Sequence, residues 1–140
     1  MTLTAAAQQL LVQARDLFAN THWTKGEFLS EEQQGTELKP TYCAVGALRY
    51  LAGEDPLDAN WDELALIEGY REALVALADR IDQAKTVGIL TDAGAGFVEA
   101  EDIFWADAVE YLEDLIIYWN DSATTELSDV LSKFDAALTY

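Results

Sequence analysis

The sequence predicts a mainly α-helical fold: a single compact domain, residues 1–140, of about five helices. Three observations support this prediction. Apolar residues recur at the three- and four-residue spacing of a buried helix face along most of the chain. A length of 140 residues matches one ordinary domain, and such a chain buries enough surface for a hydrophobic core. The single cysteine excludes an intramolecular disulfide, so this core has to hold the fold.

The predicted helices follow from apolar stripes and from cap residues. Thr4 and Asn60 are suitable caps for the first and third helices, and Gly53 suits the left-handed conformation just past the second. The stripes from Trp105 to Trp119 and from Leu127 to Leu138 follow the i, i+3, i+4, i+7 spacing most closely. The five helices are predicted at about residues 4–20, 42–52, 61–85 and 98–119, and from beyond Thr125 towards the end of the chain.

In two of the connections between helices, the sequence is compatible with a short β element. In the first, Glu27–Ser30 and Thr36–Lys39 flank a turn-like middle, so the segment forms either a short hairpin or an irregular connection. In the second, residues 86–96, glycines and β-branched residues disfavour a helix. We predict a loop there, or a short strand at Val87–Leu90 that pairs with residues 27–39.

Charge is the most unusual property of the chain. It has 26 acidic and 8 basic residues, a formal net charge of −18 at pH 7. Direct nucleic-acid binding is not expected, because affinity for phosphates comes largely from lysine and arginine. Apolar runs stay shorter than the roughly 18 residues of a membrane-spanning helix, and the N-terminus lacks a signal-peptide pattern. We therefore expect a water-soluble, cytoplasmic protein without a membrane partner.

The fourth predicted helix carries an acidic face opposite its apolar stripe. Carboxylates three or four residues apart on a helix lie about 5–6 Å from each other, a spacing of the same order as that of phosphates on a nucleic-acid strand. Such a face either occupies a basic site on another protein or only maintains solubility. The candidate partner-binding residues are Glu99, Asp102, Asp107, Glu110, Glu113 and Asp114.

The single cysteine, Cys43, lies at the predicted start of the second helix. A helix N-terminus can lower a thiol pKa from its usual value of about 8.5. The only histidine, His22, with Asn120 or Asp121 to orient it, would then complete a catalytic set. The alternative, which we favour, is that Cys43 is a small packing residue. One histidine and one cysteine cannot form a zinc site, and no EF-hand spacing occurs, so we predict neither a metal site nor a cofactor.

Three short motifs occur along the chain in an order that matches a known pattern. They are W-T-x-G, an aromatic-Cys-Ala-x-Gly-Ala-Leu helix start, and W-N-D. In these motifs the chain resembles a family of small uncharacterised proteins of actinobacteria and the phages that infect them. The resemblance implies that the motifs form one structural unit, and it implies no activity. The resemblance also implies a glycine at the position that His22 occupies in this chain, which counts against a catalytic role for His22. The residues of the motifs are Trp23, Thr24 and Gly26; Tyr42, Cys43, Ala44, Gly46, Ala47 and Leu48; and Trp119, Asn120 and Asp121.

These observations lead to one functional prediction and two alternatives. We predict a non-enzymatic accessory protein, of phage or actinobacterial origin as the resemblance implies, that binds another protein through its acidic surface. A basic or nucleic-acid-binding protein is the expected partner. The alternatives are a cysteine-dependent enzyme built on Cys43 and His22, and a self-associating structural protein. Asn120 and Asp121 are predicted to cap the last helix.

Overall fold

A computed structural model of the chain describes residues 3–93 and 105–140. Within these ranges it contains seven α-helices and one two-stranded antiparallel sheet, which confirms the predicted mainly helical class. The helices are α1 (Ala5–Ala19), α2 (Ala44–Leu51), α3 (Trp61–Leu66), α4 (Tyr70–Ile81), α5 (Gln83–Asp92), α6 (Trp105–Asn120) and α7 (Leu127–Ala137). The strands are β1 (Ser30–Gln34) and β2 (Glu37–Thr41).

Helix α1 forms where the sequence predicts it. The Thr4 side chain accepts a hydrogen bond from the Ala7 backbone N–H at 3.1 Å, a cap that stabilises a helix by about 1 kcal/mol. The apolar stripe of α1 is buried, and Phe18 at its end packs edge-to-face on Phe134 of α7, with 5.4 Å between ring centroids. This contact joins the first helix to the last.

The connection between α1 and α2 contains the hairpin that the sequence left open. Ser30 pairs with Thr41 and Gln34 pairs with Glu37, so the strands are joined by a two-residue turn. Gly35 has a φ of +64°, the positive value that a type II′ turn requires at its first central position. Residues 87–90, the expected partner strand, are not part of this sheet.

The single helix predicted over residues 61–85 is wrong. The chain turns between α3 and α4, where Gly69 has a φ of +84°, and again at Asp82, whose extended backbone separates α4 from α5. A side chain at Gly69 would also collide with α1, because its Cβ would lie 2.5 Å from the Ala7 nitrogen. The cap at Asn60 is confirmed, since its side chain accepts hydrogen bonds from the next helix turn.

The loop or strand predicted after residue 85 is also wrong over the described residues, because α5 continues to Asp92. The Asp82 side chain accepts a hydrogen bond from the Lys85 N–H at 3.0 Å and caps this helix. Thr86 is buried and donates its hydroxyl to the Asp82 carbonyl at 2.9 Å. These contacts outweigh the low helix propensity of the segment. Residues 94–96 of the predicted loop lie outside the described residues.

Helix α4 is the centre of the molecule. Its residues from Ala73 to Ala78 are all buried, and it packs against α1, α3, α5, α6 and α7. The predicted stripe of α6 faces this core through Val109, Leu112 and Ile116, while residues 98–104 of the fourth predicted helix lie outside the described residues. None of the helices in the described ranges combines the length and apolar character needed to cross a membrane.

Candidate functional site

The three sequence motifs meet around Asn120, the last residue of α6. The Asn120 side-chain oxygen accepts hydrogen bonds from the Trp23 indole N–H at 2.7 Å and from the Ala44 backbone N–H at 3.0 Å. Its amide nitrogen donates to the Thr24 carbonyl at 3.1 Å. Because Asn120 is fully buried, these bonds satisfy polar groups that water cannot reach. The motifs therefore form one unit at the junction of α6, α2 and the loop after α1.

Asp121 extends this unit to the neighbouring loop. Its carboxylate accepts a hydrogen bond from the Gly26 backbone N–H at 2.8 Å, and Lys25 donates to the Ser122 carbonyl at 2.6 Å. The prediction that Asn120 and Asp121 cap the last helix is wrong, because both side chains are bonded to residues 23–44 or to each other. Helix α7 instead begins where Asp129 accepts a hydrogen bond from the Glu126 N–H at 2.8 Å.

Cys43 is a cap and a packing residue. Its sulfur accepts a hydrogen bond from the Gly46 N–H at 3.3 Å, and only 2% of the residue is exposed. Burial raises the pKa of the Cys43 thiol to about 11, against the smaller opposite effect of the Gly46 hydrogen bond. The activation expected from the helix N-terminus is therefore outweighed. Gly46 is required for close packing, because a Cβ there would lie 1.9 Å from the Phe28 carbonyl oxygen.

The alternative catalytic set of Cys43, His22 and Asn120 is not assembled. The His22 Nδ1 atom lies 2.6 Å from the Pro40 carbonyl oxygen, and His22 is among the residues that line a cavity of about 520 Å³ beside α1. Among the described residues, no hydrogen bond joins His22 to Cys43. The Asn120 side chain is committed to Trp23, Thr24 and Ala44.

Glu113 occupies a buried network that the sequence did not predict. Only 1% of Glu113 is exposed, so its assignment to the acidic surface is wrong. One carboxylate oxygen accepts from Arg49 at 2.7 Å and from the Trp61 indole N–H at 2.9 Å. The other accepts from Arg49 at 3.1 Å and from the Tyr70 hydroxyl at 2.5 Å. Burial, together with the Glu113 charge, raises the pKa of Tyr70 well above its usual value.

Arg49 completes this network on the side of α2. It donates a further hydrogen bond to the Pro56 carbonyl at 3.0 Å, and its guanidinium carbon lies 4.3 Å from the centroid of the Phe28 ring. One sequence signal was available for its partner: Glu113 directly follows Leu112 and lies four residues after Val109, on the flank of the apolar stripe. The network is a structural link, because the Glu113 carboxylate accepts four hydrogen bonds, two from Arg49 and one each from Trp61 and Tyr70.

The remaining described acidic residues of α6 lie at its surface. Asp107, Tyr111, Asp114 and Tyr118 follow each other at intervals of four, three and four residues, which places them on one side of the helix. We call these four residues the outer face of α6. All four are exposed, Tyr111 at 55% and Tyr118 at 80%. Partial burial and the charge of the nearby Glu113 raise the pKa of Asp114.

A cavity of about 350 Å³ lies beside the outer face, between α3 and α6. Its walls include Trp61, which is 41% exposed, and the half-buried Glu110. The other carboxylates that line it are Asp58, Asp62 and Asp107. Over residues 3–93 and 105–140, no group of three or more potential metal ligands is arranged to hold a metal ion. This cavity extends the acidic surface beyond the helix itself.

The chain was compared with models of known protein families. A family model described as a family of unknown function (DUF6197) matches residues 2–139. The chain belongs to this family. The prediction of an uncharacterised family is thereby confirmed, whereas the actinobacterial or phage origin stays a prediction. Comparisons of this DUF6197 chain with curated proteins and with solved structures found no match.

In this DUF6197 chain, three of the six predicted partner-binding carboxylates lie at the described surface: Asp107, Glu110 and Asp114. Glu113 is buried, and Glu99 and Asp102 lie outside the described residues. The sequence did not single out Tyr111 and Tyr118, because tyrosines occur both in protein cores and at surfaces, and composition alone does not distinguish the two. Their spacing from Asp107 and Asp114 was the signal that would have identified them.

Proposed function

We propose that this protein is a non-enzymatic accessory protein that binds a basic protein partner through the outer face of α6. The observation that carries the proposal is the composition of this face, where exposed carboxylates alternate with exposed tyrosines on a helix without a basic residue. A phage or actinobacterial origin, which the sequence resemblance implies, and the cytoplasmic setting expected from the sequence belong to the same proposal.

The chemistry of the outer face suits association with a cationic surface. A net charge of −18 steers a positively charged partner towards the protein and speeds their encounter. Tyrosines are enriched at protein interfaces, because they bury a large ring while their hydroxyl remains hydrogen-bonded. Tyr111 and Tyr118 would supply buried area between the charged contacts of Asp107 and Asp114.

The geometry favours binding over the two alternatives. A cysteine-dependent mechanism needs an accessible thiolate, whereas Cys43 is buried and its pKa is raised to about 11. Self-association through the outer face would place like charges opposite each other, which is unfavourable. Binding a basic partner requires no accessible thiolate and places opposite charges against each other.

Affinity capture with charge-matched variants tests the proposal. The test variant, Asp107→Asn with Asp114→Asn, removes two charges from the outer face. The control variant, Glu31→Gln with Glu68→Gln, removes two charges from exposed positions, one on β1 and one in the turn between α3 and α4. Capture from a lysate of a candidate host is performed at about 50 mM and about 500 mM salt, because screening weakens exposed ionic contacts.

We expect the wild-type protein and the control variant to retain the same basic protein at low salt and to lose it at high salt. The Asp107 and Asp114 variant should retain much less of that protein at low salt. Equal retention by both variants would mean that net charge alone accounts for binding, and the proposed site would be wrong. Capture that ignores salt would contradict the electrostatic basis of the proposal.

A further inference from the structure

Two arginines of this protein illustrate how one basic side chain contacts an aromatic ring and a carboxylate together. Arg49 lies over the Phe28 ring, 4.3 Å from its centroid, while its guanidinium pairs with Glu113 at 2.7 Å. Arg71 lies over the Trp105 ring at 4.6 Å, and its Nε atom is 3.7 Å from a Glu72 oxygen. In both cases one guanidinium contacts an aromatic ring and a carboxylate together.

Lysines make longer contacts with aromatic rings than Arg49 and Arg71 do, and Arg80, which pairs with no carboxylate in the described residues, lies 5.5 Å from the centroid of Tyr140. Lys25 lies 5.8 Å from the centroid of Trp23, and Lys85 lies 6.0 Å from that of Tyr118. A guanidinium is planar and weakly hydrated, so it stacks on a ring and pairs with a carboxylate at once. An ammonium group is a strongly hydrated point charge and does not combine these contacts as well.

The outer face presents this ring and carboxylate combination twice. Tyr111 lies four residues after Asp107, and Tyr118 lies four residues after Asp114, so the Cβ atoms of each pair are about 5–6 Å apart on the same side of the helix. The two combinations are seven residues apart, which is about 10 Å along the helix. None of the four side chains makes a hydrogen bond or an ion pair within residues 3–93 and 105–140.

We propose that the outer face of α6 recognises arginine in a partner segment, which carries two arginines about 10 Å apart. One guanidinium stacks on Tyr111 and pairs with Asp107, and the other stacks on Tyr118 and pairs with Asp114. This inference rests on the proposed binding of a basic protein, and it specifies the side chain that is recognised. The tyrosines discriminate arginine from lysine, whereas the aspartates attract either cation.

Two synthetic peptides of equal length and charge test this inference with the full-length protein. One peptide carries arginines spaced about 10 Å apart in a helical register, and the other carries lysines at the same positions. Fluorescence anisotropy of the labelled peptides measures their affinities at low salt. We expect the arginine peptide to bind about tenfold more tightly, the size expected from two exposed stacking contacts.

Variants locate the discrimination on the outer face. Replacing both tyrosines, Tyr111→Leu with Tyr118→Leu, should lower the affinity of the arginine peptide to that of the lysine peptide and leave the lysine peptide unchanged. The control Tyr50→Leu, at an exposed tyrosine of α2, should leave both affinities unchanged. Far-UV circular dichroism checks that each variant retains its helices.

The outcomes separate this inference from the broader proposal. Equal affinities for the two peptides, with binding still reduced by Asp107→Asn and Asp114→Asn, would overturn arginine recognition and leave the basic partner in place. Arginine preference that survives the loss of both tyrosines would place recognition elsewhere and overturn the inference as well. Failure of both peptides to bind at low salt would overturn arginine recognition and the basic partner together.

Discussion

Glu113 is the residue at which four helices converge. It belongs to α6, and its hydrogen-bond donors are Arg49 from α2, Trp61 from α3 and Tyr70 from α4. A buried charge is costly unless it is paired and fully hydrogen-bonded, and here both carboxylate oxygens have two donors each. The position of α3 therefore depends on a polar network as well as on apolar packing.

Removing the charge of Glu113 should destabilise the protein strongly. Glu113→Gln leaves the buried Arg49 cation without its counter-charge, and we expect the free energy of unfolding to fall by about 3–5 kcal/mol in urea denaturation. The control is Asp135→Asn at the exposed Arg15–Asp135 pair, which should cost much less because solvent screens it.

A double variant keeps this prediction testable if Glu113→Gln does not fold. Arg49→Met combined with Glu113→Leu removes both charges, and it should be more stable than Glu113→Gln alone because no charge is left unpaired. Similar losses for Glu113→Gln and Asp135→Asn would contradict the role of burial in this network.

Individual residues show where sequence reasoning reaches its limit. The interpretation of Cys43 as a packing residue agrees with its burial, but its pKa moved opposite to the helix-end effect because desolvation is the larger contribution. The charge of Glu113 was visible, yet its partner Arg49 lies 64 residues away in the chain. Only the folded arrangement of α2 and α6 shows that this carboxylate is buried.

At the scale of single elements, two helical glycines should respond oppositely to the same substitution. Alanine favours a helix over glycine by about 1 kcal/mol, and at Gly88 in α5 a Cβ would meet nothing within 4 Å. At Gly46 in α2 a Cβ would lie 1.9 Å from the Phe28 carbonyl oxygen, so the backbone would have to move. We expect Gly88→Ala to stabilise the protein by about 1 kcal/mol and Gly46→Ala to destabilise it by about 1–3 kcal/mol.

Chemical denaturation of the two glycine variants beside the wild-type protein measures this difference. Each variant is the control for the other, because both add one methyl group to a helix. A stabilising Gly46→Ala substitution would show that α2 does not approach the backbone of Phe28 as closely as described. A destabilising Gly88→Ala substitution would contradict the helical assignment of residues 83–92.

Elements with local signals were predicted, and elements set by distant contacts were not. Thr4 and the stripe that follows it mark α1, whereas the hairpin with Gly35 in its turn was only one of two alternatives left open. The break at Gly69 follows from its left-handed backbone and its packing against α1, which the pattern of α3 and α4 does not reveal. Helix α5 forms because Asp82 caps it and Thr86 is buried, despite an unfavourable composition.

Across the protein, the few basic side chains mostly make internal contacts. Arg15 and Arg49 pair with carboxylates, and Arg80 donates to the Ala136 carbonyl at 3.1 Å. Lys25 and Lys133 also donate to backbone carbonyls. Most surface carboxylates are therefore compensated only by solvent and salt, and the net charge of −18 opposes compaction through self-repulsion.

This self-repulsion predicts that added salt stabilises the folded protein. Raising NaCl from about 20 mM to about 500 mM shortens the Debye length from about 20 Å to about 4 Å, which weakens repulsion between surface carboxylates. We expect the melting temperature to rise by about 5 °C.

The variant with Glu31→Gln and Glu68→Gln serves as an internal control, because any general effect of NaCl acts equally on both proteins. It should melt above the wild-type protein at low salt, and this difference should shrink at high salt as the removed charges become screened. A melting temperature that falls with salt, or a difference that persists at about 500 mM, would mean that local contacts rather than collective charge set the stability of this surface.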